Sequence, residues 1–403
     1  MTATTAISSE VRLKPRKALP FFSHHPWVFQ SAVMESPSDL AAGAEVVLRS
    51  AEGQFVAKGL YNPHSNIRVR LYSWTEDTAL DAPFWAQRLD EAVALRRRLF
   101  GAFTSDTACR LVYSEADQLS GLIIDRYGEW LVVQFTALAM AQRQEMWLDL
   151  LQERLQPRGI IIRTEKGIRD AEGLEIADGL IRGEAPPRPM FVTENGVRYG
   201  VDLTEGQKTG FFLDQRDNRQ RLNALVENAR VLDMFCYSGG FGLNALVNGR
   251  AAEVIAVDGS DGAVNLAKCN AELNGVAERF HVTKEDGFKA LERLAGEGER
   301  FDVIVLDPPK LARRREALDA ALRGYFSLNR LAVDLLNPGG LLMTCSCSGV
   351  VTHQHFVETL SRVGLDAGRH IQILEARGPS ADHPASIHCL ESDYLKCYLC
   401  RVV

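Results

Sequence analysis

A carboxylate and a glycine-rich turn occupy residues 233–242, between a predicted strand and the helix that follows it. Glycines let a ligand press against the backbone, and the N-terminus of a helix is electropositive. An acidic residue before such a turn suits the positively charged amino and sulfonium groups of S-adenosylmethionine better than it suits a pyrophosphate. We therefore expect this segment to bind S-adenosylmethionine through Asp233, Phe235, Ser238, Gly239, Gly240 and Phe241.

The same turn has a competing interpretation. Residues 240–245 fit the pattern G-x-G-x-x-A, and Asp258 lies at about the spacing of a dinucleotide-binding fingerprint. A fingerprint turn should begin directly at the end of the strand, whereas six residues, 234–239, separate Asp233 from Gly240, where the pattern starts. Dinucleotide binding is therefore the less favoured alternative.

Acidic residues also follow the next two strands of this region. Asp258, followed by Gly259, ends one predicted strand, where a carboxylate can hold the two hydroxyls of a ribose. The run Asp286-Gly287-Phe288 could hold an adenine between an aspartate and an aromatic ring. An N-cap for the helix after Gly287 is the alternative role of Asp286, and the sequence leaves both open.

A carboxylate followed by two prolines, Asp307-Pro308-Pro309-Lys310, comes after a later strand. The prolines keep the loop rigid and prevent a helix from starting there. A rigid carboxylate beside a methyl donor can bind the amino group and ring nitrogen of a base, so we expect Asp307 to be catalytic and to border the cofactor. Basic residues follow and could contact RNA phosphates, with a solvated helix face as the alternative: Lys310, Arg313, Arg314 and Arg315.

Two cysteines stand in the segment Thr344-Cys345-Ser346-Cys347-Ser348-Gly349, again after a strand. A pyrimidine carbon-5 is too weak a nucleophile to take a methyl group, but a thiolate that adds to carbon-6 turns it into an enamine that can. A small buried hydrophobe is the other role open to either cysteine. A zinc cluster of Cys345, Cys347, His388, Cys389, Cys397 and Cys400 is disfavoured, because Cys397 and Cys400 point to opposite faces of a predicted strand. We expect no metal.

These residues need a scaffold that brings strand ends together. From about Met190, continuous apolar strands alternate with helices, which predicts a parallel, doubly wound α/β sheet that is Rossmann-like. Such a sheet binds its ligand outside the carboxyl ends of its strands. Residues 1–75 indicate a small β-rich domain and residues 76–190 an α+β middle domain, with residues 191–403 as the cofactor-binding domain.

Basic charge is concentrated at the N-terminal end. Residues 1–75 contain eight Lys or Arg and five Asp or Glu, a net charge of +3, whereas the whole chain has a formal charge of −6. The alternating run Ile67–Tyr72 predicts a strand with Arg68 and Arg70 on one face and apolar residues turned to the core. We expect these two arginines to bind RNA.

Composition bounds the remaining possibilities. The 403 residues are 46% hydrophobic and 24% charged, which is typical of a globular protein. No run approaches the roughly 20 apolar residues of a membrane helix. Met1–Ala6 has no apolar signal core, so a cytoplasmic location is expected.

In the order and spacing of its motifs, the sequence resembles the bacterial large-subunit ribosomal RNA methyltransferase I family. The motifs that carry the resemblance are His25-Pro26-Trp27-Val28-Phe29, residues 206–216, Ser238-Gly239-Gly240-Phe241, Asp307-Pro308-Pro309-Lys310 and Ser346-Cys347-Ser348. The resemblance implies a PUA RNA-binding module, a middle domain and a Rossmann-like methyltransferase domain. It also implies S-adenosylmethionine as cofactor, large-subunit ribosomal RNA as partner and methylation of a cytosine at carbon-5.

The resemblance assigns roles to individual residues as well. It implies that Cys347 is the nucleophile, and that Phe212 and Arg216 contact the cofactor. Related uridine carbon-5 methyltransferases have a segment similar to Leu390-Glu391-Ser392, so Glu391 could remove the carbon-5 proton, with an exposed structural glutamate as the alternative. Methylation of uridine or of an exocyclic amine, and a non-catalytic ribosome-assembly role, are the rival functions. A homodimer is one option for the assembly.

Overall fold

The computed structural model describes residues 9–203 and 210–403. Met1–Ala6 and the first part of the 206–216 motif therefore lie outside the described residues. The strands are β1 Ser9–Leu13, β2 Trp27–Phe29, β3 Val33–Glu35, β4 Glu45–Arg49, β5 Phe55–Tyr61, β6 Ile67–Ser73, β7 Ala108–Tyr113, β8 Leu122–Tyr127, β9 Trp130–Phe135, β10 Gly159–Ile162, β11 Gly179–Gly183, β12 Met190–Glu194, β13 Val197–Val201, β14 Arg230–Met234, β15 Glu253–Asp258, β16 Phe280–Lys284, β17 Phe301–Leu306, β18 Leu336–Ser346, β19 Ile371–Arg377 and β20 Lys396–Val402. The helices are α1 Leu19–Phe22, α2 Ala82–Phe100, α3 Leu138–Ala141, α4 Gln144–Leu155, α5 Lys166–Glu172, α6 Arg216–Asn223, α7 Gly240–Val247, α8 Asp261–Leu273, α9 Gly287–Gly296, α10 Leu318–Leu335 and α11 His353–Ala367.

The chain forms two compact units. The first unit contains Met1–Arg188, Asp202–Gly210 and Asp382–Ser392. The second unit contains Pro189–Val201, Phe211–Ala381 and Asp393–Val403. Two short segments of the predicted 191–403 domain thus belong by their contacts to the first unit, and the three-domain division remains a prediction.

The first unit contains two sheets, each over its own core. The six-stranded sheet has the order β2-β6-β5-β4-β1-β3, and its core includes Val11, Val28 and Val69. The five-stranded sheet has the order β11-β10-β9-β8-β7 and packs with α2 and α4 around Trp85 and Trp147. A turn at Glu52-Gly53 joins β4 to β5 in a hairpin, with Gly53 at a φ of 86°.

The alternation predicted for β6 is wrong about Arg70. Its side chain is buried with 8% exposure, and its guanidinium pairs with Glu115 at 3.2 Å and with Glu172 at 3.1 Å. Both carboxylates come from the middle region of the same unit. That region covers the face of β6 that the sequence pattern predicted to be exposed. Because buried ions need partners, Arg70 is committed to these two glutamates, and we withdraw it as an RNA-binding residue.

The second unit is built on a seven-stranded sheet of order β16-β15-β14-β17-β18-β20-β19. Strands β14 to β18 pair in parallel, while β20 runs antiparallel to both of its neighbours. The parallel strands are apolar because helices cover them: Tyr325 of α10 and Phe356 of α11 belong to the same buried core as Ile304 of β17. The carboxyl ends of β14, β15, β17 and β18 consequently share one edge, as the sequence predicted.

No helix in the described parts of the chain combines the length and apolar character needed to cross a membrane.

Candidate active site

The loop after β14, residues 235–239 (the β14 loop), has an unusual backbone. Phe235 and Tyr237 have φ values of 62° and 47°, a left-handed conformation that costs free energy for residues with a Cβ atom, and Gly239 has a φ of 81°. The Tyr237 N–H donates to Asp258 Oδ2 at 2.9 Å, which holds the loop against the end of β15. Strain of this kind is concentrated in proteins at ligand-binding sites.

Asp233 lies at the start of this loop with one oxygen satisfied and one unsatisfied. Its Oδ2 accepts from the Gly242 N–H at 2.8 Å, whereas its buried Oδ1 has no hydrogen-bond partner among the residues that the structure describes. Burial raises the pKa of Asp233 to about 7, with help from Asp307 and Asp258, although the Gly242 N–H opposes the shift. A buried carboxylate oxygen without a partner suits a cationic ligand group.

The predicted turn lies between β14 and α7 as expected. Gly239 caps α7, and Ser238 and Phe241 are buried. A Cβ atom on Gly242 would lie 2.8 Å from Val254, so only glycine allows the helix to approach β15 this closely. Gly240 faces Arg219 at 3.1 Å from an ideal Cβ position. The glycines therefore serve close packing as well as an open backbone.

Asp258 and Asp286 have different surroundings at the ends of β15 and β16. Both Asp258 oxygens accept backbone N–H groups, Oδ1 that of Ser260 at 2.9 Å, so the carboxylate is held rigidly beside Gly259. Asp286 is exposed and caps α9, accepting from the Phe288 and Lys289 N–H groups. The N-cap alternative is thus present in the structure, and adenine binding by Asp286 remains a prediction.

Gly287 and Phe288 begin α9 beside the β14 loop. An ideal Cβ atom on Gly287 would lie 2.5 Å from the ring of Phe235. The absence of a side chain at Gly287 therefore makes room for Phe235, and Phe288 is partly buried against the core of the sheet. This packing connects the two predicted cofactor segments, residues 233–242 and 286–288.

Asp307 and Cys347 follow neighbouring parallel strands, β17 and β18. Gln215 Nε2 donates to Asp307 Oδ2 at 3.0 Å, which orients the carboxylate. The Cys347 thiol lies 3.9 Å from the carbonyl oxygen of Pro308, the residue after Asp307. The structure thus brings the predicted base-binding carboxylate and the predicted nucleophile to the same edge of one sheet.

The two cysteines of this segment differ in access. Cys345 has no exposed surface and lies opposite Cys397 in the β18–β20 pairing. The neighbouring Cys397 thiol, followed by burial, raises the pKa of Cys345 well above its ordinary value. Cys347 is partly exposed and begins the loop of residues 347–352 (the β18 loop). A base could reach Cys347 and could not reach Cys345, and the thiolate of Cys345 is disfavoured.

Phe212 and Arg216 lie near the β14 loop in different settings. The Phe212 ring packs edge-on against Tyr237, with centroids 5.1 Å apart. Arg216 is 8% exposed and lies 3.7 Å from the carboxylate of Glu194. Arg216 therefore already has a buried ionic neighbour, and its direct contact with a cofactor remains a prediction.

The predicted RNA-binding residues other than Arg70 divide into two groups. Lys310, Arg313, Arg314 and Arg315 are exposed in the loop after β17 and form no ion pair with any described residue. Arg68 in the first unit is partly buried and donates to the carbonyl oxygens of Asn62 and Pro63. The loop after β17 therefore has the more available positive charge.

Glu391 belongs to the first unit, in a short 3-10 turn. Its Oε2 lies 3.4 Å from His25 Nε2 and accepts from the Cys389 thiol at 3.5 Å. Among the described residues, these three are the one group whose His, Cys and acidic donors lie close enough together, within 4.8 Å, to hold a metal ion. The hydrogen bonds that Glu391 forms with His25 and Cys389 already engage these ligand groups without a metal ion. The role of Glu391 as a base remains a prediction.

Two residues of the site were missed by the sequence analysis. Gln215, which orients Asp307, was part of a recognised motif but had no assigned role. Lys396, buried at the start of β20, donates to the carbonyl of Ser348 in the β18 loop at 2.8 Å. A lysine within the otherwise apolar run Leu395–Cys400 was the signal that could have identified it.

Comparisons with known proteins agree with this geometry. A family model for an S-adenosylmethionine-dependent methyltransferase matches residues 178–384, and a model for a PUA-like domain matches residues 11–74. A protein of Erwinia tasmaniensis named Ribosomal RNA large subunit methyltransferase I is 39% identical over 380 residues, 94% of this chain and 96% of its own. Its namesake in Tolumonas auensis is 40% identical over 399 residues, 98% of this chain and 100% of its own.

Solved structures share the fold at lower identity. A methyltransferase complexed with SAH superposes with a TM-score of 0.84 at 20% identity, covering 98% of this chain and 100% of its own. A SAM-dependent methyltransferase from Streptococcus mutans gives 0.83 at 19% identity, covering 97% and 99%. The predicted fold class and the predicted cofactor, S-adenosylmethionine, are confirmed. These relatives give no support to a homodimer, and we do not propose one.

Proposed function

The chain belongs to the ribosomal RNA large subunit methyltransferase I family, and from that membership we propose that it methylates carbon-5 of a cytosine in large-subunit ribosomal RNA. The chain is an S-adenosylmethionine-dependent methyltransferase. The choice of cytosine, and of a covalent route, goes beyond the relatives' names. The covalent route is carried by one observation: a partly exposed thiol, Cys347, lies 3.9 Å from the Pro308 carbonyl of the Asp-Pro-Pro loop. The choice of cytosine over uridine rests on the resemblance to the family.

The cofactor site of this proposal is the edge formed by β14, β15 and β16. Asp233, whose buried Oδ1 has no partner in the described part of the chain, would bind the cationic amino acid end, and Asp258 would bind the ribose. Asp286 and Phe288 would border the adenine. The fit is good because a buried anionic oxygen beside a glycine turn needs a cation more than it needs a phosphate. When bound, S-adenosylmethionine supplies an electrophilic methyl group and leaves as S-adenosylhomocysteine.

The protein's own groups prepare the base for that methyl group. The Cys347 thiolate adds to carbon-6, and the electron pair of the carbon-5–carbon-6 double bond makes carbon-5 nucleophilic. Asp307, held by Gln215, binds the amino edge of the cytosine and keeps the ring in place. After methylation a base takes the proton from carbon-5, and the electron pair of that bond re-forms the double bond and expels the Cys347 thiolate.

The base and the RNA contacts complete the proposal. For proton removal we retain Glu391, on the resemblance of Leu390-Glu391-Ser392 to a segment of uridine carbon-5 methyltransferases; its side chain is 50% exposed. The exposed cations of the loop after β17 would bind RNA phosphates near the flipped base. The family model for a PUA-like domain in residues 11–74 supports a second RNA contact in the first unit.

The test is methylation of unmodified ribosomal RNA, and of large subunits lacking the modification, with radiolabelled S-adenosylmethionine followed by nucleoside analysis. We expect label in 5-methylcytidine. Cys347→Ala should lower the rate by more than about 1,000-fold, because removal of a covalent nucleophile abolishes the addition step. Cys345→Ala, two residues away and fully buried, is the matched control and should retain activity.

Each other result contradicts a defined part of the proposal. Label in 5-methyluridine or in an N-methylated nucleoside would show that the assigned base or atom is wrong. A Cys347→Ala protein with the rate of the unmodified chain would exclude the covalent route. No label on either substrate would favour a non-catalytic role in ribosome assembly.

A further inference from the structure

Lys396 is a buried lysine at the start of β20, in the seven-stranded sheet of the second unit. Its side chain is 1% exposed, and it lies opposite Ser346 in the antiparallel pairing of β18 with β20. An ammonium group in such a position loses its hydration, which costs several kcal/mol unless it gains partners. An apolar residue would be expected at this strand position, so the presence of a lysine requires an explanation.

The partners of Lys396 connect it to the predicted nucleophile. Its Nζ donates to the carbonyl oxygen of Ser348 at 2.8 Å and to that of Tyr394 at 2.7 Å. Ser348 is the residue after Cys347, and its hydroxyl lies 3.1 Å from the Tyr325 hydroxyl and accepts from the Ala312 N–H at 3.2 Å. Ser348, beside Cys347, is thus held through its carbonyl by β20 and through its hydroxyl by α10 and the loop after β17.

The charges around Lys396 also include Cys347 itself. Burial lowers the pKa of Lys396 to about 8, Asp393 and Cys347 oppose the shift, and Lys310 adds to it. Burial raises the pKa of Tyr325, and Cys347 adds to that shift. Because its Nζ binds the carbonyl oxygen of the residue after Cys347, Lys396 places a buried amino group close to the Cys347 thiol.

We propose that Lys396 is a positioning residue that holds the β18 loop through Ser348 and stabilises the thiolate of Cys347. The inference rests on the proposed function, in which Cys347 is the nucleophile. The physical basis is reciprocal: a thiolate favours the ammonium form of Lys396 by the same free energy with which the ammonium favours the thiolate. A nearby opposite charge favours the charged form of each partner, so the ammonium and the thiolate stabilise each other.

The test measures the ionisation of Cys347 without RNA or cofactor. In a Cys269→Ser background, which removes the exposed competing thiol, the rate of alkylation of Cys347 by iodoacetamide is followed by peptide mass spectrometry from pH 6 to 10. Lys396→Gln keeps N–H donors for the two carbonyls but removes the charge. We expect its alkylation to be about tenfold slower at pH 7 and to converge with the parent rate near pH 10, since one pH unit is a tenfold change in thiolate.

Matched variants separate charge from structure. Lys396→Arg retains a cation and should keep the profile closer to the parent than Lys396→Gln does. Lys284→Met removes an exposed lysine paired with Asp261 and should change nothing. Thermal unfolding and S-adenosylmethionine binding are measured on each variant, so that an unfolded protein is not scored.

An unchanged profile, or a loss by the same factor at pH 7 and pH 10, would overturn the electrostatic role of Lys396 and leave it as a structural residue. The outcome is distinguishable from failure of the proposed function. Activity of Cys347→Ala would disprove the covalent mechanism, whereas the alkylation profile reports on the Cys347 thiol whether or not it is used in catalysis.

Discussion

The β14 loop and the β18 loop leave the same edge of one sheet, and each has a buried ionisable residue beside it. The two residues differ in whether their charged groups have hydrogen-bond partners. Asp233, before the β14 loop, has a carboxylate oxygen without a partner among the described residues. Lys396, beside the β18 loop, donates to two carbonyl oxygens. Burial disfavours the charged form of both: it raises the pKa of Asp233 to about 7 and lowers that of Lys396 to about 8.

The difference shows that the hydrogen bonding of a buried charged group depends on its function. A group that awaits a charged ligand is left unsatisfied, because the ligand supplies the missing partner. A group that holds another part of the chain is satisfied within the chain. Ligand binding should therefore relieve the cost at Asp233 and should not affect Lys396, and the following experiments test that contrast.

The largest effect is expected from Asp233→Asn. Loss of a buried charge-assisted hydrogen bond should weaken S-adenosylmethionine binding about 10- to 100-fold in calorimetric titration. The same change should raise the free energy of unfolding of the cofactor-free protein at pH 8, by between about 1 and 4 kcal/mol, because the folded state no longer keeps a carboxylate charged in a dry site.

The sign of the stability change follows from the raised pKa of Asp233. Between about pH 4 and 7 the folded state binds the proton that the unfolded state has released, so stability from this group falls as pH rises through that window. The advantage of Asp233→Asn should accordingly shrink below pH 7. Asp286→Asn, which keeps an N-cap on α9, is the control and should change stability by less than about 0.5 kcal/mol. Equal or lower stability of Asp233→Asn would contradict the unsatisfied-charge interpretation.

A second, smaller effect is the pH dependence of cofactor affinity. A cationic ligand binds the ionised form of Asp233, so affinity should fall about tenfold from pH 8 to pH 6 as the carboxyl group takes up a proton. Titrations with Asp233→Asn measure the effect of protonating the ligand alone. The difference in affinity between the parent protein and Asp233→Asn at each pH is then the contribution of Asp233. Parallel curves for the two proteins would exclude Asp233 as the group that binds the ligand cation.

The smallest effect compares glycines near the two loops. Gly287→Ala places a methyl group 2.5 Å from the Phe235 ring, so the ring and the strained β14 loop must shift, at a cost of about 1 kcal/mol in stability. Gly349→Ala in the β18 loop meets no atom within 4 Å and should be neutral. Thermal unfolding measures both, and S-adenosylmethionine affinity should fall a few-fold only for Gly287→Ala. Equal changes in stability and affinity for the two variants would contradict the difference in packing between the loops.

Much of the fold could be predicted from local patterns. The strand predicted at Ile67–Tyr72 is β6, Ile67–Ser73, because a short run of strictly alternating residues has few alternatives to a strand. The common edge of Asp233, Asp307 and Cys347 followed from the rule that parallel strands end on the same side. The prediction of S-adenosylmethionine followed from the acidic residue before the glycine turn, which suits a cationic ligand.

Long-range packing decided what the patterns could not. Arg70 alternates with apolar residues, as an exposed strand position should, but Glu115 and Glu172 from distant segments cover it. Lys396 is charged in the sequence and buried in the sheet, because β20 inserts between β18 and β19. The lysine within an apolar run is a local signal that Lys396 is unusual, but the partners of Arg70 and of Lys396 have no local signal, since they lie far from them along the chain.

By itself the sequence determined the order of strands and helices, the cofactor and the set of chemical groups at the sheet edge, because periodicity and strand-end position are local properties. Only the tertiary structure decided which of those groups are available. It left an oxygen of Asp233 without a partner among the residues that the structure describes, buried Cys345 while Cys347 stayed partly exposed, and directed Lys396 toward the β18 loop. Availability depends on what the rest of the chain packs against a residue, and that is a property of the folded molecule.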